Sequence, residues 1–331
     1  MIVARALGSM PEFISAQVGA HSLDRVMSRS RLPYAVLEQR DVFIPETMLV
    51  SFLRNAARET GEDRFGLLVS PHLTVADYGI WGEYVLSAPT LGESLARVTR
   101  SIGLHSNDRV GLNREDGGAM SFTYDFVKRG EAGYDHIAAC AVGVIWSIFR
   151  HYVGPTWRPD AVELDLNNPG RTTDYEDVFA CPVHFGRDRV LVRFAGRQLH
   201  SARPGTATRM VTAADVERSR LGGAPKTAAG KVLRMVMLQL LDDAPDLEEA
   251  AEGLDVGVRT LQRTLAAEGT TFRDIVKAAI LSRSRELLTD SPMPITEIGV
   301  GLGYSSPSHF ARAFRKVTGL SPRAYRALFA H

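Results

Sequence analysis

Two copies of one pattern, each a pair of short amphipathic segments around a tight turn, occupy the last third of the chain. In the later copy, residues 295–316, apolar residues recur at intervals of 3 and 4, which is the spacing of one helix face. Gly303 interrupts the first segment, and Ser306 is a favourable N-cap for the second. Phe310 and Phe314 then lie at i and i+4 and must face a core. The pattern predicts a helix-turn-helix.

The earlier copy, residues 246–266, has the same apolar spacing, and its second segment would bury Leu261 and Leu265. A single copy would fit an ordinary helical hairpin with a charged solvent face equally well. The repetition favours two helix-turn-helix motifs. Residues 272–289 read as the helix that joins them, and at ~1.5 Å per residue this helix would hold the two motifs about one DNA turn, roughly 34 Å, apart.

The outer faces of the two second helices are polar and basic. Arg and Gln side chains bind guanine and adenine edges in a major groove, while Lys, Arg and helix N-termini bind phosphates. The residues predicted to contact bases are Arg259, Gln262, Arg263, Ser308, His309 and Arg312. Those predicted to contact phosphate are Thr260, Ser306, Arg315 and Lys316.

The region from residue 226 to 331 resembles the DNA-binding domain of the AraC/XylS family of bacterial transcription regulators. The segments that carry the resemblance are RTLQR (259–263), ITEIGVGLGY (295–304), SHFARAFRKVTG (308–319) and SPRAYR (321–326). Gly257 stands where the family commonly has a capping Ser. The resemblance implies a sequence-specific transcription regulator whose partners are promoter or operator DNA and RNA polymerase.

Charge and composition agree with this interpretation. The chain has 331 residues, a net charge of +1 and 45% hydrophobic residues, enough for two domains with cores. From Gly257 onward, however, 11 basic residues face only 5 acidic ones, which suits one DNA-facing surface. No signal peptide pattern precedes residue 30, and the most apolar run, residues 137–149, is too short to cross a bilayer. We therefore expect a cytoplasmic protein with no membrane partner.

Residues 1–200 mix helical and strand patterns, which predicts an α+β domain. The predicted elements are helices over residues 45–60, 90–104 and 134–152, a hairpin over residues 109–126, and strands over residues 161–166 and 189–194. The segments at 65–70, 84–95 and 182–186 resemble the arabinose-binding-type N-terminal domain of one branch of AraC regulators. Residues 201–225, rich in Gly, Pro and small residues, are predicted to form a linker, and a helix over residues 227–241 begins the all-α C-terminal domain.

An effector-sensing and dimerisation role is the expectation for the N-terminal domain. Five aromatic residues are candidates for lining a small-molecule pocket, although aromatic side chains in such positions commonly form the core instead. They are Trp81, Tyr84, Phe122, Tyr124 and Trp146. The histidines at 105, 136, 151, 184 and 200 have no metal-ligand spacing and are predicted to be satisfied core or surface residues.

Two other classes of protein compete with a regulator. Cys181 lies three residues before His184, which invites a DNA-repair or DNA-modifying enzyme, but the chain has only two cysteines and no four-cysteine zinc site. A buried structural cysteine is the better interpretation. A non-specific architectural DNA protein would have little use for polar residues such as Gln262 and Ser308. No cofactor and no metal are expected.

Overall fold

The computed structural model describes residues 1–205, 211–220, 222–242 and 244–329. The chain divides into two compact units, Met1–Pro225 and a second that begins at Lys226. The first unit is α+β and the second is helical, as the sequence predicts.

The strands of the first unit are short. They are β1 (Ile2–Val3), β2 (Phe43–Ile44), β3 (Arg109–Arg114), β4 (Ala119–Asp125), β5 (Ala161–Glu163), β6 (Val183–His184) and β7 (Val190–Ala195). β1 pairs with β2, and the others form a sheet of order β3-β4-β7-β5-β6 in which only the β5–β6 pair is parallel. The predicted hairpin is confirmed, with Leu112 opposite Phe122. β5 ends at Glu163, earlier than predicted, although the Leu164 N–H still donates to the carbonyl of His184 (2.8 Å).

Helices of the first unit cover one another and one face of the sheet. They are α1 (Met10–Val18), α2 (Ala20–Arg29), α3 (Glu46–Thr60), α4 (Phe65–Val69), α5 (Ile80–Leu86), α6 (Leu91–Ser101), α7 (Tyr134–Val153), α8 (Thr172–Phe179) and α9 (Ala213–Ser219). The predicted helices at 45–60 and 134–152 are confirmed as α3 and α7. The one predicted over residues 90–104 ends as an α-helix at Ser101 and continues as a 3-10 turn, Ile102–Leu104.

α7 is the central helix of this unit. A Cβ at Gly143 would lie only 2.1 Å from the Ser70 carbonyl oxygen, so glycine is what lets the backbone at Ser70 pack directly on α7. With 20 residues, α7 is longer than the apolar run that marks it in the sequence. By length and composition it could cross a membrane, but 67% of its most apolar window is buried inside the fold, as in the core helix of a globular domain.

The segment predicted as a linker, residues 201–225, differs from that expectation in its described part from residue 211 onward. Residues 211–225 belong to the first unit and contain α9, which begins with a capping box between Thr212 and Asp215. Arg220 is 1% exposed, and its guanidinium donates to Asp41 Oδ1 (2.6 Å) and to the Tyr78 carbonyl (2.9 Å). These buried charge-assisted bonds fix a segment whose glycines and proline predicted freedom.

The end of this segment is also fixed. The Ala224 N–H donates to the Gly103 carbonyl (2.9 Å). Gly223 has φ +94°, and a Cβ there would lie 2.5 Å from the same carbonyl oxygen. Glycine therefore permits a close approach between residue 223 and the 3-10 turn that follows α6.

The second unit is built from helices around two apolar clusters. Its helices are α10 (Ala228–Gln239), α11 (Leu247–Gly253), α12 (Val258–Ala267), α13 (Phe272–Asp290), α14 (Ile295–Gly301), α15 (Pro307–Thr318) and α16 (Pro322–Phe329). The first cluster joins α10, α11 and α12 to the start of α13, and the second joins α14 and α15 to its end. α13 thus contributes Ile275 and Ala279 to one cluster and Leu288 to the other, as expected of a helix that joins two motifs.

Candidate nucleic-acid interface and a candidate effector cavity

The two helix-turn-helix motifs have the same backbone scheme at their turns. The Val256 N–H donates to the Ala251 carbonyl and the Tyr304 N–H to the Gly299 carbonyl, both at 3.0 Å. These equivalent bonds close the first helix of each motif. The residue before each donor has a positive φ, +57° at Asp255 and +82° at Gly303.

The second helices of the motifs are α12 and α15, and their inner faces are buried. Leu261 and Leu265 of α12 are 4% and 1% exposed, and Phe310 and Phe314 of α15 are 0% and 2% exposed. This confirms the predicted helical phase of both segments. The opposite faces must therefore be the polar ones.

The predicted base-contacting residues lie on those opposite faces and are all exposed. They are Arg259, Gln262 and Arg263 on α12, and Ser308, His309 and Arg312 on α15. Among the described residues, the side chains of all of these except His309 have no hydrogen-bond or ion-pair partner, and neither do those of Arg315 and Lys316. Arg263 and Arg312 each follow their buried partner, Leu261 or Phe310, by two positions, so they occupy equivalent places in the two motifs. Unpaired exposed guanidinium groups are free to bind an external acceptor.

Two of the predicted contact residues, Ser306 and His309, have local side-chain contacts. The Ser306 hydroxyl accepts from the His309 N–H (3.2 Å) and so caps α15, as predicted. His309 Nδ1 lies 3.4 Å from the Ser305 hydroxyl, and its ring packs edge-on against Tyr304. Thr260 is exposed on α12. Pro307 has no N–H and the His309 N–H is already bonded, so the Ser308 N–H and the Ser306 hydroxyl hydrogen are the donors that remain for a phosphate at this helix N-terminus.

A second candidate site is a partly open cavity in the first unit. It has a volume of about 80 Å³ and lies among α3, α6, α7, β4 and the turns around Val75 and His105. Trp81, Phe122 and Tyr124, three of the residues predicted for an effector pocket, line this cavity.

Tyr84 and Trp146, predicted with them, are packed elsewhere. The Trp146 indole donates to the Trp157 carbonyl (3.1 Å) under the guanidinium of Arg150, and the ring of Tyr84 lies under the guanidinium of Arg97. Both rings already have cation and core contacts, so they belong to the structural core.

The polar groups in the cavity wall were not singled out by the sequence. His105 stacks on Tyr78 with 4.5 Å between ring centroids, and its Nδ1 is buried without a hydrogen-bond partner among the described residues. Burial, with the nearby Arg220 charge, lowers the pKa of His105 to about 3, so the ring is neutral. The prediction that this histidine is satisfied is therefore wrong. Nothing in its sequence spacing distinguishes it from His136 or His200.

Asp108 is the other polar group of the wall. Its Oδ2 accepts from the Ser106 hydroxyl (2.8 Å) and the Tyr124 hydroxyl (2.9 Å), and its Oδ1 accepts from the Val127 N–H (3.1 Å). Burial raises the pKa of this carboxyl group, while the three donors oppose that rise.

Comparison with known proteins agrees with this geometry. Residues 21–202 match the arabinose-binding domain of AraC transcription regulators, an N-terminal domain, and residues 250–328 match a helix-turn-helix domain. An α+β unit followed by two helix-turn-helix motifs with basic outer faces defines a DNA-binding transcription regulator. The chain belongs to the AraC family of transcription regulators.

The relatives carry regulator names. The ornithine utilization regulator of Pseudomonas aeruginosa is 28% identical over 80% of this chain and 79% of its own length. The HTH-type transcriptional regulator VirS of Mycobacterium tuberculosis is 28% identical over 94% of this chain and 92% of its own. The crystal structure of the transcriptional regulator CdpR from Pseudomonas aeruginosa is 22% identical, covers 93% of this chain and 97% of its own, and has a TM-score of 0.43.

Proposed function

We propose that the chain binds a specific operator with α12 and α15 in successive major grooves and that a small molecule bound in the cavity of the first unit controls this binding. The observation that carries the DNA part is the equivalent placement of Arg263 and Arg312, both exposed and neither with a side-chain partner in the part of the chain that the structure describes. In this proposal Arg259, Gln262, Ser308 and His309 contact bases beside them. Arg and Gln give base discrimination because their donors and acceptors match guanine and adenine edges in pairs.

The length of α13 supports the two-groove arrangement. Its 19 residues span about 28 Å at ~1.5 Å per residue, and successive major-groove faces of DNA recur every ~34 Å. Arg315 and Lys316, at the end of α15, would then neutralise phosphates beside the second groove, together with Thr260 and the N-terminus at Ser306. Such contacts fix position and add affinity without distinguishing sequences.

The alternative of a DNA-modifying enzyme depends on Cys181 as a nucleophile. Burial raises the pKa of its thiol to about 11, so at neutral pH the group is the unreactive thiol rather than the thiolate. The burial of Cys181 therefore favours a structural role, and the regulator is the function we propose.

A homodimer and a contact with RNA polymerase complete the proposal. One pair of helix-turn-helix motifs covers a short site, and a genome offers many competitors of that length, so linking two chains raises the effective concentration at a doubled site. Sedimentation of the full chain at tens of micromolar tests the dimer, and a monomer there would remove that part of the proposal.

The test of DNA recognition is genome-wide footprinting with the purified chain, followed by titration of the recovered sites against random DNA of equal length. We expect a recurrent site with two contacted segments one helical turn apart and binding tighter than to random DNA by a factor of about 10³ or more. Equal affinity for both DNAs would replace the specific regulator by the architectural alternative.

A further inference from the structure

Asp108 is a buried carboxylate with no counter-ion. It is 4% exposed and lines the cavity, and no Lys, Arg or His of the described residues forms an ion pair with it. A carboxylate has about four acceptor positions, and three donors occupy Asp108: Ser106, Tyr124 and the Val127 N–H. One acceptor position remains for a ligand, and a cation bound there would stabilise the charged form of this carboxyl, whose pKa is raised by burial.

The rest of the wall contributes no positive charge. The lining residues include no Lys or Arg, and the one histidine, His105, is neutral and offers an unpartnered Nδ1. Buried charges in proteins are ordinarily paired, because an unpaired one costs solvation energy. A cationic group in the cavity would provide the missing partner of Asp108, whereas an anionic ligand would meet a like charge.

The other lining groups fit an apolar body and a cation. The rings of Tyr78, Trp81 and His105 form a stack on one side, and aromatic faces attract ammonium groups. Phe122 and the aliphatic residues of α3 and α7 supply the remaining surface. The volume of about 80 Å³ is well below the ~300–1,000 Å³ of pockets for drug-sized molecules, so the ligand is compact.

This wall suits a sugar poorly, although the matching domain family is named for arabinose. A sugar has a hydroxyl group on almost every carbon, and each would need a partner once buried. Three of the acceptor positions of Asp108 are already used by the protein, and most of the lining is aliphatic or aromatic carbon.

We infer that the cavity binds a compact, mostly apolar amine whose ammonium group pairs with Asp108 and whose hydrocarbon body packs against Trp81 and Phe122. This inference takes from the proposed function only that the cavity is the effector site. Binding of an amine and binding of the operator are separate measurements on the same protein.

The experiment compares three probes of one shape and different charge on the full chain: benzylamine, benzyl alcohol and benzoate. Isothermal titration and thermal unfolding at neutral pH measure binding. We expect benzylamine to bind at least about tenfold more tightly than benzyl alcohol, since it alone supplies the counter-ion, and benzoate to show no binding.

Asp108→Asn is the matched variant because an amide keeps the size and most of the hydrogen bonds. Its oxygen accepts from the Val127 N–H, and its NH₂ group donates to the hydroxyls of Ser106 and Tyr124, which can rotate to accept. We expect this variant to lose the preference for benzylamine over benzyl alcohol and to keep operator binding. Asp165→Asn is the control, because Asp165 is also buried but pairs with Arg129 and Tyr134 outside the cavity.

Three outcomes overturn the inference. The first is that benzyl alcohol or benzoate binds the wild type as tightly as benzylamine does, and the second is that benzylamine binds Asp108→Asn as tightly as the wild type. The third is that the wild type binds neither benzylamine nor n-butylamine. None of these affects footprinting of the operator. Conversely, loss of specific DNA binding by the wild type counts against the proposed function and leaves the amine site intact.

Discussion

The two helix-turn-helix motifs share a backbone plan but differ in how firmly their second helices are held. α15 has Ser306 as its N-cap and a proline at its first position, whereas the N-cap of α12 is Gly257, which has no side chain to accept a capping hydrogen bond. The core behind α15 is aromatic, with Phe310 packed against both Tyr304 and Phe314, whereas the fully buried residues behind α12 are aliphatic.

The first motif has a different support. The carboxylate of Glu268, just after α12, accepts from the backbone N–H groups of Ala228 (2.9 Å) and Ala229 (2.8 Å) at the start of α10. A carboxylate at a helix N-terminus accepts hydrogen bonds from the free backbone N–H groups there, and its negative charge interacts favourably with the positive end of the helix dipole. The first motif is thus fastened to α10 by hydrogen bonds, while the second packs on α16 through the ring contact of Phe314 with Tyr325 (5.3 Å between centroids). The same plan can therefore be stabilised in two ways, and mutations should affect the motifs unequally.

The largest difference should appear in the cores. Phe310→Ala should lower the free energy of unfolding by about 3–5 kcal/mol and Leu261→Ala by about 2–5 kcal/mol, because each removes a buried side chain and leaves a cavity. We expect Phe310→Ala to be the more severe, since Phe310 is fully buried and contacts two other rings. Urea unfolding of the full chain measures both. Val317→Ala, at a position 63% exposed on the same helix, is the control with little expected change.

Unchanged unfolding midpoints and unchanged DNA affinity in both core variants would mean that these side chains do not face inward.

A smaller difference is expected in DNA binding. Arg263→Ala and Arg312→Ala should each weaken operator binding by about 1–3 kcal/mol while leaving binding to random DNA nearly the same, because each removes a paired base contact. Arg312 should matter more, since the cap and aromatic core hold α15 in one position. Arg315→Ala is the control, and it should weaken both DNAs alike as a phosphate contact. Titration by fluorescence anisotropy at one salt concentration measures all three.

If Arg263→Ala and Arg312→Ala reduce affinity for random DNA as much as for the operator, these guanidinium groups contact phosphates and the assignment of base contacts fails.

The smallest difference concerns the caps. Ser306→Ala should cost about 1 kcal/mol of stability, because the His309 N–H loses its acceptor. Gly257→Ser should add only a few tenths of a kcal/mol. The backbone of Gly257 has φ −73° and ψ 144°, and a Cβ there meets nothing within 4 Å, so serine fits without strain. Urea midpoints compare the two; a stabilisation by Gly257→Ser as large as the loss from Ser306→Ala would contradict this difference between the motifs.

The second unit was predictable because its signals are local. Apolar spacing at Ile295, Ile298 and Leu302 and the Ser306 cap give helices and boundaries within a few residues of those observed. The cavity was predictable only in part. Trp81 and Tyr124 are recognisable as large aromatic side chains, but the importance of Asp108 comes from burial without a counter-ion, which depends on contacts distant in sequence.

Two segments of the first unit gave weaker signals. α1 and α2 were not predicted, and both are short, with Gly19 between them. For residues 211–225 the glycines and proline indicated freedom, whereas two long-range partners, Asp41 and the Tyr78 carbonyl, hold Arg220 in the fold. The glycine and proline content of a segment indicates which backbone conformations are accessible, and tertiary contacts such as these select the conformation that is adopted.

The 3-10 turn Ile102–Leu104 has one more consequence. Ile102 and, directly after the turn, His105 face the cavity, while Gly103 accepts the hydrogen bond of Ala224, two residues before the second unit begins. One peptide segment therefore both lines the cavity and holds, by a hydrogen bond, the chain that leads to the second unit. A ligand that binds one conformation of this turn more tightly than another would shift the equilibrium between the two conformations by that difference in binding free energy. Under the proposed function, the four residues from Ile102 to His105 are the segment through which a ligand in the cavity would act on the chain that leads to the second unit.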